Sequence, residues 1–340
     1  MECSLKACWE RWEVMLLRVC SANSAFCQIN LKMKINPKAK RHFASRGLSS
    51  LQKRKNMSIV DRIVRRERIY GGDINKAWRL ELDDGSSVFM KTNLPENAAY
   101  FKAESAGFEA MRATGTIGIP KVIEYGKAED YSYLVLEFLK PAEKRIKDYW
   151  ETFGRELALM HKTSGSAVWG KSPAMFGFPS DNFIGHTKQI NTPCSNWVDF
   201  YRDCRLVPQF KMADRYFDSA IRKKFTRLLD NLGGYLEEPE SPALLHGDLW
   251  SGNMLCGPDG KAWILDPACY YGHPEVDLAM TQLFSQLPPA FYSAYNEVNP
   301  ISPEYAERRD LYHLYQLLNH LNMFGSSYYG EVTAILDEYA

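Results

Sequence analysis

Apolar and polar positions alternate in several short segments of the first half of the chain. Strand patterns lie at 74–82, 87–91, 121–126 and 131–139. The turn residues 83–86 join the first two segments, which predicts a β-hairpin. We therefore predict a small antiparallel sheet of about five strands, followed by a hinge near residues 137–142.

Helical spacing replaces this alternation in one early segment and in most of the chain after residue 148. Residues 97–114 place Phe101, Phe108 and Met111 on one stripe. Further helices are predicted from 148 and at 195–208, 214–235, 275–286, 303–324 and 330–339, with a long ordered loop at 164–193. The predicted fold is α+β and bilobal, with a small antiparallel-sheet N-lobe (57–139) that contains one helix and a larger helical C-lobe (140–340).

Charge separates residues 1–56 from the remainder of the chain. The formal net charge is +1 overall, but residues 1–56 carry twelve Lys or Arg and three Glu, which leaves the body with a charge of −8. Residues 14–56 hold no acidic residue and show no sustained helical or strand periodicity. An organelle transit peptide would have these properties, and so would a misassigned upstream start. We expect this basic leader to be disordered or absent from the mature protein. By its charge, the body is not expected to bind nucleic acid.

Cysteine spacing and hydropathy indicate where in the cell the protein is expected. No apolar run approaches the roughly 18–20 residues that a membrane helix requires, so we expect no membrane partner. The eight cysteines show no zinc-ligand or redox-pair spacing. A reducing, cytoplasmic location is therefore predicted, with organelle targeting by residues 1–56 as the alternative. Oligomeric state does not follow from the sequence.

The strongest chemical signal is an aspartate, an asparagine five residues later and a second aspartate after a predicted hairpin. These residues are Asp248, Asn253 and Asp266, in His246-Gly247-Asp248 and Asp266-Pro267. The order and spacing follow the kinase signature, in which the first carboxylate accepts the hydroxyl proton and the other two groups bind Mg²⁺. A turn at His-Gly-Asp and a capping role for Asp266 are the structural alternatives.

Residues upstream extend this signal to nucleotide binding. Lys91 ends a predicted strand, and Glu104 lies on the buried stripe of the next helix, where a carboxylate needs a cation. Gly71 and Gly72 precede the first strand and would let backbone amides approach a phosphate, although an ordinary turn fits equally well. The hinge would bind adenine through its backbone at Glu137, Phe138 and Leu139. His161 is interpreted as a packed histidine at a helix end.

Several segments of the chain resemble those of a known protein family. Residues 57–340 resemble the fructosamine kinase, or ketosamine-3-kinase, family within the aminoglycoside-phosphotransferase-like branch of the protein-kinase fold. The matching segments are Phe176 to Gly185, Gln189-Ile190-Asn191, Trp197 with Phe200, Arg205-Leu206, the tryptophan in His246 to Asn253, Tyr271 to Met280, and Leu318 to Asn322.

The resemblance implies ATP-dependent, Mg²⁺-assisted phosphorylation of the 3-hydroxyl of a ketosamine, free or borne by a protein lysine, which leads to deglycation. It implies that Asp248 is the base, that Lys91 and Glu104 position the phosphates, and that Trp250 and His320 contact the sugar. Kinases of another small amine or sugar, such as an aminoglycoside, choline or methylthioribose, and a nucleotide-binding pseudokinase are the alternatives. Asp73 stands where animal and plant members carry a cysteine, which puts redox regulation in doubt.

Overall fold

A five-stranded antiparallel sheet forms the N-lobe. In sheet order β1-β2-β3-β5-β4, the strands are β1 (Ile63–Ile69), β2 (Lys76–Leu82), β3 (Ser87–Asn93), β5 (Ser132–Glu137) and β4 (Val122–Lys127). The predicted hairpin of β2 and β3 is confirmed, and its turn contains Gly85 at φ 81°, a conformation that favours glycine. Strand β1 had no alternating signal because it is an edge strand whose residues 64–67 are all exposed.

Helix α1 (Ala98–Thr114) packs on this sheet along β4 and β5. Its predicted stripe is confirmed, since Phe101, Phe108 and Met111 are fully buried. The helix ends at Gly115, whose φ of 65° closes the last turn. Glu104 is therefore directed towards the sheet.

Helices form most of the C-lobe. They are α2 (Tyr149–Ser164), α3 (Trp197–Tyr201), α4 (Val207–Met212), α5 (Ser219–Tyr235), α6 (Glu275–Leu283), α7 (Pro289–Val298), α8 (Tyr305–Phe324) and α9 (Tyr329–Tyr339). Helix α7 was not among the predicted helices. It begins at Pro289 in its first turn, where proline is tolerated because that N–H has no partner within a helix. It packs against α2.

The helix predicted over 195–208 is not continuous. A π-helical turn, Arg202–Leu206, separates α3 from α4. Pro208 has no N–H for the carbonyl of Cys204, and this carbonyl instead accepts a hydrogen bond from Nη1 of Arg205 (2.9 Å). The wider turn directs Arg205 into the core, where its side chain is fully buried.

Three short strand pairs complete the described part of the C-lobe. The predicted loop at 164–193 contains a hairpin of β6 (Asn182–Ile184) and β7 (Thr187–Gln189). Strand β8 (Ala243–Leu245) pairs with β11 (Tyr270–Gly272), and β9 (Met254–Cys256) pairs with β10 (Ala262–Ile264). The last two pairs frame the segments that carry Asp248 and Asp266.

This architecture comes from a computed structural model that describes residues 57–70, 74–164 and 175–340. The basic leader, Gly71, Gly72, Asp73 and residues 165–174 lie outside the described residues, together with the predictions made for them. The lobe boundary predicted at 139/140 falls in the connection between β5 and α2. Among the described helices, none has the length and apolarity that crossing a membrane requires.

Candidate active site

Residues His246 to Asn253, which we call the catalytic loop, follow β8. Hydrogen bonds of His246 hold the start of this loop. His246 is buried, its Nε2 lies 2.8 Å from the carbonyl oxygen of Leu265, and its Nδ1 accepts the N–H of Asp248 (3.2 Å). Gly247 has a φ of 80°, and a Cβ added there would lie 2.2 Å from the carbonyl oxygen of Ala268. A larger residue therefore does not fit at the middle position of His-Gly-Asp.

Asp248 lies beside the asparagine predicted five residues later. Asn253 donates from Nδ2 to the carbonyl oxygen of Asp248 (2.8 Å) and to its carboxylate oxygen Oδ2 (3.1 Å). Burial raises the pKa of Asp248 to about 7; the hydrogen bond from Asn253 opposes this rise, and the charge of Asp266 adds to it. The amide thus fixes the orientation of a carboxylate whose basicity is increased.

Lys91 bridges two carboxylates that are distant in the sequence. Its Nζ lies 2.6 Å from Oε1 of Glu104, as predicted, and 2.6 Å from Oδ1 of Asp266. Burial alone would lower the pKa of Lys91, but the charges of Asp266 and Glu104 raise it above its ordinary value. Burial raises the pKa of Glu104, which Lys91 opposes. The bridge connects β3, α1 and the segment after β10.

Asp266 has an unusual backbone conformation. Among the described residues it is the single non-glycine residue with a positive φ, 57°. Such a conformation is costly for a residue with a Cβ and persists only where its surroundings enforce it. Pro267 follows, and the N–H of Ala268 donates to the carbonyl oxygen of His246 (2.9 Å). The Asp266 segment and the catalytic loop are therefore joined directly.

A carboxylate that sequence reasoning did not single out anchors the catalytic loop. Asp277 in α6 is fully buried and accepts the N–H groups of His246 (2.7 Å) and Gly247 (2.9 Å). Its Oδ2 also lies 3.2 Å from Nε2 of His161, whose Nδ1 lies 2.7 Å from the hydroxyl of Tyr295. Burial opposes ionisation of Asp277, yet the hydrogen bonds and charges of His161 and His246 lower its pKa. His161 is thus packed within the lobe, as predicted.

The signal that could have identified Asp277 is a carboxylate within the otherwise apolar run Val276 to Met280. A buried ionised group of this kind needs hydrogen-bond donors. Here the donors are backbone N–H groups about 30 residues earlier in the chain, which no local pattern reveals.

The predicted hinge follows β5. The N–H of Glu137 donates to the carbonyl oxygen of Lys121 (2.9 Å), and its carboxylate accepts the N–H of Lys121 (2.6 Å). The guanidinium of Arg79 lies 4.8 Å from the ring centre of Phe138. Within the described part of the chain, the N–H of Leu139 makes no backbone hydrogen bond. Glu137 is thus fixed in the sheet, while Leu139 retains a donor.

Trp250 and His320 lie on either side of a third aromatic residue. The ring of Phe284 is 6.0 Å from that of Trp250 and 4.9 Å from that of His320, between ring centres. Gly252 lies directly under the indole, since a Cβ there would be 2.3 Å from the Trp250 ring. The three rings, which we call the aromatic row, are all partly exposed. Phe284 was not predicted as part of the site.

The structure thus brings Lys91, Glu104 and Asp266 into one ion-pair cluster and places Asp248 and Asn253 in contact beside it. Trp250, two residues after Asp248 in the sequence, and His320 both lie against the ring of Phe284. Across the described ranges, no group of three or more His, Cys, Asp or Glu side chains could hold a metal ion. Asn253 and Asp266 offer an amide oxygen and a carboxylate, the kinds of ligand that Mg²⁺ takes.

A two-lobed fold with this arrangement defines a kinase of the protein-kinase-like class, and comparison with known proteins gives the family. The family model described as fructosamine kinase matches residues 49–340. A protein-ribulosamine 3-kinase, chloroplastic, of Arabidopsis thaliana is 43% identical over 272 residues, covering 79% of this chain and 80% of that protein.

Two bacterial proteins agree with this match. A probable ketoamine kinase of Synechocystis is 41% identical over 281 residues, covering 82% of this chain and 90% of that protein. The crystal structure of a putative fructosamine-3-kinase from Haemophilus somnus superposes with a TM-score of 0.71 at 27% identity, covering 82% of this chain and 91% of that one. The chain belongs to the fructosamine kinase family.

Proposed function

We propose that this kinase transfers the γ-phosphoryl group of ATP to the 3-hydroxyl of a ketosamine, the adduct of a sugar with an amine. The observation that carries the proposal is the contact of Lys91 with both Glu104 and Asp266, next to the Asp248–Asn253 pair, in a chain of this family. These groups perform the two tasks of phosphoryl transfer, which are to position the phosphates and to orient the attacking hydroxyl.

At the nucleotide end, Lys91 would contact the phosphates while Glu104 holds it in place. The ion pair is buried, so water competes little for the ammonium group. The N–H of Leu139 and the carbonyl of Glu137 would contact adenine at the hinge. Gly71 and Gly72 keep their proposed role at the phosphates.

The donor set of the site fits Mg²⁺. This ion prefers oxygen ligands and usually takes one or two carboxylates besides phosphates and water. Asp266 offers a carboxylate, half exposed at 49%. The Nδ2 of Asn253 is directed to Asp248, so its amide oxygen points away from that residue. When bound, the ion would neutralise charge on the phosphates.

Asp248 would accept the proton of the 3-hydroxyl. Its raised pKa makes it a better base than an ordinary carboxylate, and Asn253 keeps one carboxylate oxygen oriented. Asp277 holds the backbone on which Asp248 sits, so the base has little freedom to move.

The aromatic row would form the acceptor side of the site. An indole can pack against a sugar face and attract the positive amine of a ketosamine by a cation–π contact. Trp250 and His320 are supported against each other by Phe284. The names of the relatives support ketosamines as substrates, and we propose that the amine is either a small molecule or a protein lysine. Phosphorylation would destabilise the adduct and release the amine.

The location of the protein stays a prediction. The cytoplasmic location remains our proposal, and the plant relative carries the word chloroplastic in its name. Because residues 14–56 of the basic leader hold no acidic residue, organelle import stays the alternative location.

A panel of acceptors tests the proposed function. ATP turnover would be measured with fructosamine, ribulosamine and erythrulosamine adducts of one amine, with the unmodified amine and an aminoglycoside as controls. We expect turnover with one or more ketosamines and formation of the 3-phosphate, detected by ³¹P NMR. Turnover confined to the aminoglycoside, or none with any ketosamine, would contradict the proposal.

A further inference from the structure

Three buried amide side chains form a continuous set of hydrogen bonds behind the active site. The Nε2 of Gln189 and the Nδ2 of Asn191 both donate to Oδ1 of Asn182, each at 2.8 Å. All three residues are at most 4% exposed. We call these residues the amide chain. Asn182 and Gln189 lie in the β6–β7 hairpin, within the region predicted as a loop.

The amide chain is directed at the segment that follows Asp266. Gln189 donates from Nε2 to the carbonyl oxygen of Ala268 (3.0 Å), and Asn182 donates from Nδ2 to the carbonyl oxygen of Cys269 (2.7 Å). These carbonyls belong to residues two and three positions after Asp266. They are satisfied by side chains before β11 begins to pair with β8.

The position of Ala268 affects both halves of the active site. Its N–H donates a hydrogen bond to the carbonyl oxygen of His246. Its own carbonyl oxygen lies so close to Gly247 that a Cβ added at Gly247 would be 2.2 Å from it. A shift of Ala268 would therefore move the catalytic loop as well as Asp266. Because packed interiors do not deform smoothly, the amide chain fixes the spacing between the two segments.

The far end of the amide chain is fixed as well. Arg205, fully buried, donates from Nη2 to Oδ1 of Asn191 (2.8 Å), and its guanidinium lies 3.8 Å from the ring centre of Tyr270. The hydroxyl of Tyr315 donates to Oε1 of Gln189 (2.7 Å). Since this oxygen is an acceptor for Tyr315, the amide of Gln189 is oriented with its NH₂ group towards Ala268.

We propose that Gln189 and Asn182 are positioning residues that hold Asp266 in its left-handed conformation, and that they thereby set the affinity of the site for the metal–nucleotide complex. The inference rests on the proposed metal role of Asp266. Neither side chain contacts the reacting groups; each acts through a backbone carbonyl. The hairpin also supports the helix of Glu104, since Phe183 lies 4.1 Å from Tyr100 of α1, between ring centres.

The test is Gln189→Met, which keeps the length of the side chain but removes its donor and acceptor. Nucleotide affinity would be titrated by calorimetry over a range of Mg²⁺ concentrations, without any acceptor. We expect the Mg²⁺ concentration for half-maximal ATP binding to rise about tenfold, and kcat with a ketosamine to fall roughly 10- to 100-fold, the scale of ångström misplacement. Tyr315→Phe, which keeps the ring and removes only the orienting hydroxyl, should shift the same midpoint two- to fivefold.

The control is Thr281→Val, which also removes a buried polar group of this lobe. Thr281 is 1% exposed and its hydroxyl hydrogen-bonds to the carbonyl oxygen of Leu278 and to the hydroxyl of Tyr292, neither of which belongs to the amide chain or to residues 266–269. It should lower the melting temperature while leaving the Mg²⁺ midpoint within twofold of the unaltered protein. Equal midpoint shifts in the Gln189 and Thr281 variants, or an unchanged midpoint in folded Gln189→Met, would overturn the inference. If Gln189→Met does not fold, an unchanged midpoint in Tyr315→Phe overturns it.

The two proposals fail in different ways. Mg²⁺-dependent ATP binding without phosphorylation of any ketosamine in the unaltered protein would overturn the proposed substrate and leave the positioning role supported by the variants. ATP binding that does not depend on Mg²⁺ would overturn the metal role of Asp266 and the inference with it.

Discussion

The substitution Asp277→Asn tests whether the catalytic loop is held from α6. The carboxylate accepts two backbone N–H groups, from His246 and Gly247, and contacts His161, all without exposure to water. An asparagine offers one oxygen, so its NH₂ group must face one of these donors. A hydrogen bond to a charged group contributes about 1.5–3 kcal/mol, and an unpaired buried donor costs about 1–3 kcal/mol.

From these values we expect Asp277→Asn to lower the free energy of unfolding by about 3 kcal/mol, which corresponds to a fall in melting temperature of roughly 5–10 °C. The loop that carries Asp248 loses its anchor, so kcat should fall by about 10²-fold even at temperatures where the variant is folded. Melting would be followed by calorimetry and turnover by a coupled ATP assay.

Glu275→Gln is the matched control for this prediction. Glu275 lies two residues earlier on the same helix, is 3% exposed and pairs with Arg308 at 2.7 Å, but it does not contact the catalytic loop. It should lower the melting temperature without changing kcat at temperatures where it is folded. If the two variants lost kcat to the same extent, or if folded Asp277→Asn kept a normal kcat, the anchoring role of Asp277 would be refuted.

Four further predictions concern the site and the leader. Asp248→Asn should keep ATP binding and reduce turnover by roughly 10²-fold or more, because the amide cannot accept the hydroxyl proton; near-normal turnover would exclude Asp248 as the base. Asp266→Ala should weaken Mg·ATP binding in calorimetry and lower the rate, with excess Mg²⁺ failing to restore it; unchanged affinity and rate would contradict a metal role. Trp250→Ala should raise the ketosamine KM roughly 2- to 30-fold, equivalent to a contact of about 0.5–2 kcal/mol, and leave the ATP KM unchanged; parallel losses for both substrates with a lower melting temperature would mean that the indole is structural packing. A chain that starts at Met57 should keep its melting temperature and activity, because the compact unit begins at Ser58; loss of folded protein would show that the leader is required.

Local patterns were sufficient where the interaction partner follows within about fifteen residues. The pairing of Lys91 with Glu104 followed from a strand that ends in lysine and a helix with a carboxylate on its buried stripe, and the two side chains are in contact. Asp248 and Asn253 were identified by the fixed spacing of a kinase signature, and their side chains are in contact across five residues. In both cases a short stretch of chain connects the two residues, so few arrangements of the chain are possible.

Contacts between residues far apart in the sequence could not be predicted from local patterns. Nothing local indicates that Lys91 also meets Asp266, 175 residues later, or that Gln189 holds the carbonyl of Ala268. The break of the predicted helix at 202–206 could have been anticipated from Pro208, whereas its consequence, the inward turn of Arg205, depends on rings from α3, β11 and α8. These positions are set by packing rather than by propensity.

The charges at the site explain why Lys91 contacts both acidic residues. Lys91 carries one positive charge between Glu104 and Asp266, and burial together with the charge of Asp266 raises the pKa of Asp248 to about 7. Glu104 and Asp266 together exceed the single cation by one charge when both are ionised, and the ionised form of Asp248 adds to this excess. A triphosphate that entered alone would be repelled by this excess, since charges a few ångströms apart interact strongly where water is scarce. We therefore expect ATP to enter with a cation, which would take over the neutralisation of Asp266 so that Lys91 can turn to the phosphates while Glu104 keeps it in place.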